Sequence, residues 1–553
     1  MYIMSVETVK IKDFLFSTNK LKCIRGASYL LDYLNTYGIR KILDKYKIKN
    51  TKINKEFLDN ILSRENGNIS VIDTLYSKLK DDDLIYIAAG NAKFFIKNKI
   101  DVENIKEEIE LMYKYLAPGC KIVISYEEIK ENEQCSDVVY KLSKNVNIKK
   151  NLGFDVLNFD LPFIKKCDLS GDSLADVSKD DILSKESIKK VIYPNKIGNK
   201  KYVFENILDE IILKIDESKL KNQIFNLIGN ETEFYISRET LIKIIMSNFI
   251  KEKSEENSFY SLIINEFENI NLDTTISDYS KNEDKSYVGF MYSDGDGIGN
   301  FIKNESNNKS NEEYLKFIKS FSILLDYVTK ISLIEALKEI KNETEKIIGE
   351  FLIVGGDDVC ALFEPKIALQ VSLRYQQIFE EKMKMIKFEN ITASNGLIIV
   401  KNKVPIYLMF KQSLILQKNA KQKKYANNNK SGYIDFENIS SSGNAIIEKY
   451  RKGKETSSKR PYEIHEFEDL VHTIETLKKK YEEFPKNKLR KIYEIKIDEN
   501  EINQDKNMLI LNYLFKTNVD INKIWPEIKD LSVFDDKTIC NDILDIIDLY
   551  DFV

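Results

Sequence analysis

The chain has 553 residues, of which 43% are hydrophobic and 31% are charged. This length exceeds what a single hydrophobic core supports, so we expect three or four globular domains. The 88 acidic and 84 basic side chains leave a formal net charge of −4, which excludes a global electrostatic attraction to nucleic acid or to a membrane surface.

The cysteines, histidines and apolar runs exclude several further classes of protein. The six cysteines include no C-x-x-C pair, which indicates a reducing compartment and no zinc site. The only two histidines, His465 and His472, exclude a histidine-rich metal site and are interpreted as part of a surface helix. Because the N-terminus lacks a signal-peptide core and no run of about 18 apolar residues occurs, we expect a cytoplasmic protein with no membrane partner.

The first of two segments with strand-like runs covers residues 1–125. Its expected elements in chain order are the strand YIMSV, the helix ASYLLDYLNTYGIRKIL, the hairpin DLIYIAAGNAKFFIK, the helix DVENIKEEIELMYKYL and the strand CKIVISY. Residues 205–280 then show the apolar spacing of amphipathic helices, which predicts a helical region between the two segments.

The second segment covers residues 285–437. Its expected elements are the strand SYVGFMYS, the helix NEEYLKFIKSFSILLDYVTKISLIEAL, the hairpin EFLIVGGDDVCALF, the helix ALQVSLRYQQIFEEKMKMI, the strand ASNGLIIV and the helix IYLMFKQSLILQKNAKQKKYA. Residues 451–461 then read as a basic linker, and residues 462–553 as a small helical domain.

Both segments have the β-α-β-β-α-β order of a ferredoxin-like fold. They also share letters, because SYLLDYLN at 28–35 matches SILLDYVT at 322–329, and IAAGNAKFFI at 87–96 takes the hairpin position of VGGDDVCALF at 354–363. Matches in the same order favour a duplicated domain. We therefore predict an α+β protein with two ferredoxin-like domains and with intervening and C-terminal helical domains. The predicted domains are residues 1–204, 205–283, 284–445 and 446–553.

The sequence DGDGIGN, at residues 294–300, combines two carboxylates with three glycines. As an EF-hand calcium loop it would use Asp294 and Asp296, but Ile298 stands at a ligand position. The preceding YVGFMYS also reads as a strand, whereas an EF-hand needs a helix there. An EF-hand is therefore disfavoured.

A different interpretation pairs this loop with GGDD, at residues 355–358. In a ferredoxin-like sheet the first strand lies beside the central hairpin, so Asp294 and Asp357 are expected to converge. Carboxylates at such close range require a cation, and oxygen ligands suit Mg²⁺ or Mn²⁺. The pair predicts a two-metal phosphoryl-transfer site, against the alternative that each motif is an ordinary turn.

Glycines and a lysine complete the predicted site. Gly295, Gly297 and Gly299 lack side chains where the chain turns from strand into helix, so backbone N–H groups there are expected to hold a polyphosphate. The last helix of the second segment carries KNAKQKK, in which Lys421 is expected to face the phosphates. Its neighbouring lysines fit a solvated helix end equally well.

The sequences YVGFMYSDGDGIGNF, FLIVGGDDVCALF, ASNGLIIVKNKVPIYLMFKQSLILQKNAKQ and IKDFLFSTNKLKCIRGASYLLDYLN together resemble the large polymerase-cyclase subunit of type III CRISPR effector complexes. That family has two palm domains, and the second one, with a GGDD hairpin, joins ATP into cyclic oligoadenylates using divalent metal. The resemblance implies a first palm within residues 1–204 and a catalytic second palm within residues 284–445.

The resemblance also implies roles for individual residues. The implied catalytic residues are Asp294, Asp357 and Asp358, which would also bind metal, and Asp296 is a further metal ligand with a less defined role. The implied nucleotide-binding residues are Gly295, Gly297, Gly299, Gly355, Gly356 and Lys421. The implied cofactors are two Mg²⁺ or Mn²⁺ ions, with ATP as substrate and no zinc. The implied reaction is attack of a 3′-hydroxyl on an α-phosphate with release of pyrophosphate.

The chain departs from the family in three respects. The sequence AAGN, at residues 88–91, replaces GGDD in the first palm, so that palm is expected to be non-catalytic. We expect no N-terminal HD nuclease, and Cys167 has no paired cysteines with which to form the family's zinc ribbon. These departures leave two interpretations open: the chain belongs to a divergent or stand-alone signalling system, or it assembles into an RNA-guided complex.

The leading hypothesis is a metal-dependent nucleotidyltransferase that makes a cyclic or linear oligoadenylate messenger from ATP in antiviral defence. The alternatives are another cyclic mono- or dinucleotide cyclase, and a non-catalytic scaffold that binds nucleotide or RNA in an effector complex. Nucleoside triphosphates are the expected ligands. Guide or target RNA, other effector subunits and a second copy of the chain are left open as partners.

Overall fold

The computed structural model contains two main β-sheets with helices packed around them. The residues that the structure describes are 1–63, 70–88, 90–131, 133–151, 164–195, 197–198, 200–229, 232–249, 258–267, 286–306, 309–343, 349–439, 451, 458–480, 486–497 and 542–553. None of the helices in these ranges is long and apolar enough to cross a membrane.

The first sheet has four antiparallel strands in the order β2-β3-β1-β4. The strands are β1 (Tyr2–Val9), β2 (Leu84–Ala88), β3 (Asn91–Ile96) and β4 (Lys121–Glu128). The helices of this region are α1 (Ile11–Leu15), α2 (Leu21–Tyr33), α3 (Ile39–Lys45), α4 (Lys55–Leu62), α5 (Val71–Leu79), α6 (Lys99–Leu116) and α7 (Cys135–Asn151), with a π-helix (Leu34–Gly38) between α2 and α3. This is the ferredoxin-like order predicted for the first palm, with α4 and α5 as additions.

Short helices follow the first sheet, as the apolar spacing predicted. They are α8 (Lys185–Ile192), α9 (Val203–Leu213), α10 (Glu217–Ile228), α11 (Arg238–Ser247) and α12 (Phe259–Glu266), preceded by a 3₁₀ turn (Asp180–Ile182). A small ladder of β5 (Val177–Ser178) and β6 (Tyr235–Ile236) lies among them. Helix α11 packs on α2, so the helical region is attached to the first palm.

The second sheet has six strands in the order β12-β11-β10-β7-β9-β8. The strands are β7 (Tyr287–Asp296), β8 (Gly349–Gly355), β9 (Asp358–Phe363), β10 (Thr392–Lys401), β11 (Tyr433–Ile439) and β12 (Tyr462–Glu463). The four central strands, β10-β7-β9-β8, repeat the order of the first sheet. Strand β11 adds to them in parallel to β10, and neither β11 nor β12 was predicted.

The helices around the second sheet include those predicted from the sequence. They are α13 (Ile298–Ser306), α14 (Asn311–Glu343), α15 (Pro365–Met385), α16 (Ile406–Asn427), α17 (Ile464–Lys480), α18 (Lys486–Ile497) and α19 (Ile543–Leu549). The predicted α+β fold with two palm-like units is confirmed. The four domain boundaries stay predictions, and much of the predicted linker and C-terminal helical domain, including residues 498–541, lies outside the described residues.

The two palms pack on each other through equivalent helices. Helix α2 of the first palm packs against β8, and α14 of the second palm packs against β2. On α2, the buried Arg25 pairs with the buried Glu350 of β8, with 2.7 Å between Nε and Oε1. On α14, the buried Lys319 donates to the carbonyl oxygens of Leu79 and Asp82, at 3.1 and 2.6 Å. The two central hairpins consequently face one cleft between the palms.

Candidate active site

Three carboxylates meet where the first strand and the hairpin of the second palm lie side by side. The pairing of β7 with β9 ends one residue before Asp294, which places Asp294 beside Asp358. Asp357 lies against Gly295, because a Cβ added at Gly295 would be 2.8 Å from the Cβ of Asp357. The structure therefore brings Asp294, Asp357 and Asp358 together.

Burial and negative charge disfavour ionisation of the hairpin carboxyl groups. Burial, with the charges of Asp358 and Asp294, raises the pKa of Asp357 to about 7. Burial and the charge of Asp294 also raise the pKa of Asp358, which the positive charge of Lys12 partly offsets. Ionisation of both hairpin carboxyl groups at neutral pH consequently needs additional positive charge.

The donor set of this cluster consists of oxygen atoms. Carboxylate oxygens are the ligands that Mg²⁺ and Mn²⁺ prefer, so the chemistry of Asp294, Asp357 and Asp358 fits a hard divalent cation. Within the described part of the chain, however, no group of three or more His, Cys, Asp or Glu side chains is already spaced as a metal site. Metal binding by these residues is taken up as a proposal below.

Lys421 supplies positive charge to this cluster. Its Nζ lies 2.6 Å from Asp294 Oδ2 and donates to the carbonyl oxygen of Gly295 at 2.8 Å. Burial lowers the pKa of Lys421, but the charge of Asp294, its hydrogen bond with the lysine and the charge of Asp296 together outweigh burial, so the net pKa is raised. Helix α16 brings the lysine here by close contact with β10, since a Cβ at Gly396 would be 2.1 Å from the Ser413 carbonyl oxygen. A divalent cation on Asp294 would therefore compete with Lys421.

Asp296 is fully buried and is held by uncharged and charged donors. Its Oδ2 accepts hydrogen bonds from the hydroxyls of Thr392 and Ser394, at 2.9 and 2.8 Å. Lys424 lies 3.4 Å from the same oxygen, and Lys421 lies 3.7 Å from Oδ1. The contacts of Asp296 thus link the end of β7 to β10 and α16.

Helix α14 holds the GGDD turn. The N–H of Gly356 donates to Asp326 Oδ1 at 2.8 Å, and the hydroxyl of Thr329 donates to the Gly356 carbonyl at 2.7 Å. Gly356 has a φ of +63°, whereas Asp357 is not among the residues with positive φ. This is the pattern of a type II′ turn. Asp326 and Thr329 were not predicted as site residues, although both lie in the repeated segment SILLDYVT.

The glycines of the strand–helix loop differ in what surrounds them. Gly297 has a φ of +77°, which a side chain would strain, and its N–H donates to the Tyr425 hydroxyl at 3.1 Å. A Cβ at Gly299 would meet nothing within 4 Å, so the first turn of α13 is open on that side. Gly355 pairs with Asp358 at the base of the hairpin.

A cavity of about 380 Å³ lies between the two palms. On one side it is lined by Gly355 and Asp358 of the second hairpin, and on the other by Ala88 and Gly90 of the first hairpin. Further polar lining comes from Lys12, Ser28, Asn35, Thr36 and Arg40. The volume is in the range of small-molecule sites, and the acidic cluster lies at its edge.

Comparison with known proteins is informative for the second palm. Residues 287–430 match the family model described as Cas10/Cmr2, second palm domain. Residues 287–430 are thus similar to the second palm domain of Cas10/Cmr2 proteins. The resemblance predicted from the sequence motifs is thereby confirmed, and a search of curated proteins finds no match.

Solved structures share the fold of the Cas10-type palm and of the rest of the chain. The crystal structure of the Csm1–Csm4 cassette in complex with cA4 matches with a TM-score of 0.53 and 14% identity, covering 99% of this chain and 70% of that chain. The cassette in complex with one ATP matches with a TM-score of 0.52 and 14% identity, covering 99% and 69%. Csm1 of T. onnurineus matches with a TM-score of 0.52 and 13% identity, again covering 99% and 69%.

Proposed function

We propose that this protein is a metal-dependent nucleotidyltransferase that condenses ATP into a cyclic or linear oligoadenylate messenger in antiviral defence. The observation that carries the proposal is the cluster of Asp294, Asp357 and Asp358 at the edge of a cleft between two palms. Two of the similar structures support the choice of substrate, because one is a complex with cA4 and the other a complex with one ATP.

In the proposed site, Asp294, Asp357 and Asp358 would hold two Mg²⁺ or Mn²⁺ ions. Such ions, when bound, activate an attacking 3′-hydroxyl and offset the charge of the leaving pyrophosphate. Lys421, which neutralises Asp294 in the structure, would then be released to pair with a phosphate. On substrate binding, Asp294 would thus exchange Lys421 for a metal ion, and Lys421 would exchange Asp294 for a phosphate.

The backbone around the carboxylates would orient the nucleotides. Gly355 and Gly356 place no side chain on the first half of the GGDD turn. Asp326 fixes the turn by accepting from the Gly356 N–H. Gly299 leaves the first turn of α13 open to a triphosphate, whose charge the N-terminus of α13 would favour, and Gly295 and Gly297 allow the close packing and the turn that precede it. We propose that the wall formed by Ala88 and Gly90 of the first palm binds nucleotide without holding metal.

The similar cassette structure is a complex of Csm1 with Csm4, which supports the proposal that this chain is one subunit of an effector complex. Guide or target RNA, a homodimer of second palms and a cytoplasmic location stay predictions. Another cyclic mono- or dinucleotide cyclase and a non-catalytic scaffold remain the alternatives that the experiment must separate.

The proposed function is tested by incubating the full chain with each nucleoside triphosphate and Mg²⁺ or Mn²⁺, and by identifying products by mass spectrometry. We expect oligoadenylate and pyrophosphate from ATP, with no product from the double variant Asp357→Ala/Asp358→Ala. A product from another nucleotide would favour a different cyclase. Equal products from wild type and double variant would refute the catalytic proposal. A wild type that stays inactive even with effector subunits and target RNA would favour the scaffold.

A further inference from the structure

Lys12 of the first palm reaches into the site of the second palm. It lies on α1, and its Nζ donates to the Tyr292 hydroxyl oxygen at 2.8 Å. The same Nζ is 4.4 Å from the centroid of the Tyr292 ring and 5.1 Å from that of Phe410. Phe16, just after α1, stacks on Phe410 with 4.9 Å between ring centroids. These contacts fix the position of α1, and with it the ammonium group, against the second palm.

Tyr292 connects this lysine to the acidic cluster. Its side chain is 3% exposed, and its hydroxyl donates to Asp358 Oδ1 at 2.6 Å. A phenol has one O–H donor and accepts through its lone pairs, so accepting from Lys12 leaves the phenolic hydrogen for the carboxylate. The Tyr292 ring makes an edge contact with the Phe410 ring, with 5.5 Å between the ring centroids, and this contact restricts rotation of the tyrosine. The phenol therefore holds Asp358 in one orientation beside Asp294.

We propose that Tyr292 and Lys12 are positioning residues that preorganise Asp358 for a divalent cation. The inference rests on the proposed function, because it takes Asp358 to be a metal ligand. Hydrogen bonds from outer groups orient metal ligands, and their loss typically costs about 10–100-fold in metal affinity or activity. In this arrangement a palm whose own hairpin lacks carboxylates still acts on the metal site of its neighbour.

A second property separates positioning from mere packing. If Lys12 acts through the phenol, its effect on metal affinity disappears once the phenolic hydroxyl is gone. If Lys12 only holds α1 on the second palm, its removal lowers the free energy of unfolding and leaves metal affinity unchanged. Coupling between the two substitutions is therefore the decisive quantity.

The test measures the Mn²⁺ affinity of the full chain, by electron paramagnetic resonance of the free ion. Tyr292→Phe keeps the ring and removes the hydroxyl, and Lys12→Met keeps the aliphatic stem and removes the charge. We expect Tyr292→Phe to weaken Mn²⁺ binding by about 10–100-fold and Lys12→Met to weaken it less. The double variant should bind like Tyr292→Phe alone. Tyr140→Phe and Lys10→Met, at exposed positions, are matched controls with expected wild-type affinity.

Each other outcome overturns a defined part of the account. Wild-type affinity in Tyr292→Phe, with reduced affinity in Asp358→Asn, overturns this inference and leaves the proposed function standing. Additive losses in the double variant overturn the role of Lys12 through the phenol. A wild type that binds Mn²⁺ no better than Asp357→Asn/Asp358→Asn overturns the proposed function and this inference with it. If Tyr292→Phe does not fold, Lys12→Arg decides, because it must restore the affinity lost in Lys12→Met.

Discussion

The two palm domains have the same strand order, but their hairpins carry different chemistry. At the turn of the second palm stand Asp357 and Asp358, and at the equivalent positions of the first palm stand Gly90 and Asn91. Both hairpins line the same cavity. The comparison isolates the hairpin carboxylates as the feature that distinguishes the proposed catalytic palm from its neighbour.

Another part of the site is present in both palms. Glu7 of β1 pairs with Lys150 of α7, with 2.5 Å between Oε2 and Nζ. In the second palm Asp294 of β7 pairs with Lys421 of α16, at 2.6 Å. A carboxylate at the end of the first strand and a lysine on the last helix thus belong to the shared architecture. They do not by themselves make a palm catalytic.

The spacing of the two lysines supports this equivalence. In the first palm Glu7 of β1 lies opposite Val123 of β4, and in the second palm Asp294 of β7 lies opposite Ser394 of β10. Lys150 and Lys421 each follow that opposite residue by 27 residues (150 against 123, and 421 against 394). The matched spacing favours the duplication predicted from the letters of the two segments.

The largest expected effect on stability comes from the contact between the palms. Arg25 and Lys319 occupy equivalent positions on α2 and α14, three residues before the repeated segments. Arg25→Met leaves Glu350 charged and buried, so the free energy of unfolding should fall by about 3–5 kcal/mol. Lys319→Met removes a donor from two carbonyl oxygens, of which that of Leu79 still accepts from the Asp82 N–H, so only about 1–3 kcal/mol is expected. Urea unfolding measures both, and equal losses would contradict this asymmetry.

The two lysine–carboxylate pairs should differ in their effect on catalysis. Lys421→Met removes a charge-assisted contact of about 1.5–3 kcal/mol and should reduce oligoadenylate formation by about 10–100-fold. Lys150→Met is the matched control in the first palm, with unchanged product formation expected. Initial rates with ATP and Mn²⁺ make the comparison. A comparable loss in both variants would mean that the first palm also takes part in the chemistry.

A smaller effect is expected from filling the space beside Asp357. A Cβ at Gly295 would lie 2.8 Å from the Asp357 Cβ and 3.1 Å from its Oδ2, so Gly295→Ala must displace that carboxylate. In the first palm Thr8 holds the equivalent position, and its hydroxyl donates to the Gly90 carbonyl at 2.8 Å. A misplacement of 1 Å costs about 10²-fold in rate. Because the carboxylate must move by less than this to relieve the contact, we expect a rate loss of about tenfold. An unchanged rate would show that Asp357 needs no fixed position.

The smallest expected effect is a pH dependence of stability in the absence of metal. The folded pKa of Asp357 is raised to about 7, so the folded state binds the proton more tightly than the unfolded state does. This contribution to stability is present below about pH 4 and is lost as the pH rises through 7. Asp357→Asn should therefore gain stability over wild type at pH 8, on the order of 1 kcal/mol, and little at pH 4. Urea unfolding in EDTA at both pH values measures this, and an equal gain at both would contradict the shift.

The fold could be predicted from the sequence because each palm shows the hydrophobic periodicity of its helices and strands and one central hairpin with a glycine-containing turn. Asp294 and Asp357 could be predicted to converge because strand order alone places β7 beside β9. The sequence did not reveal Tyr292 or Lys12, since their contacts join residues 280 positions apart. The pairing of Glu7 with Lys150 was not revealed either, because it joins residues 143 positions apart and no motif marks it.

The central claim is that the hairpin carboxylates of the second palm, and not the residues at the equivalent positions of the first palm, support phosphoryl transfer. The most direct measurement compares oligoadenylate formation from ATP and Mn²⁺ by Asp357→Asn/Asp358→Asn and by Glu7→Gln/Asn91→Ala, which alters the first palm at the positions equivalent to Asp294 and Asp358. We predict a loss of about 10³-fold or more in the former, because several kcal/mol of transition-state stabilisation depend on the metal site. The latter should retain wild-type rates. Activity that survives in the second-palm variant, or is lost in the first-palm variant, would contradict the account.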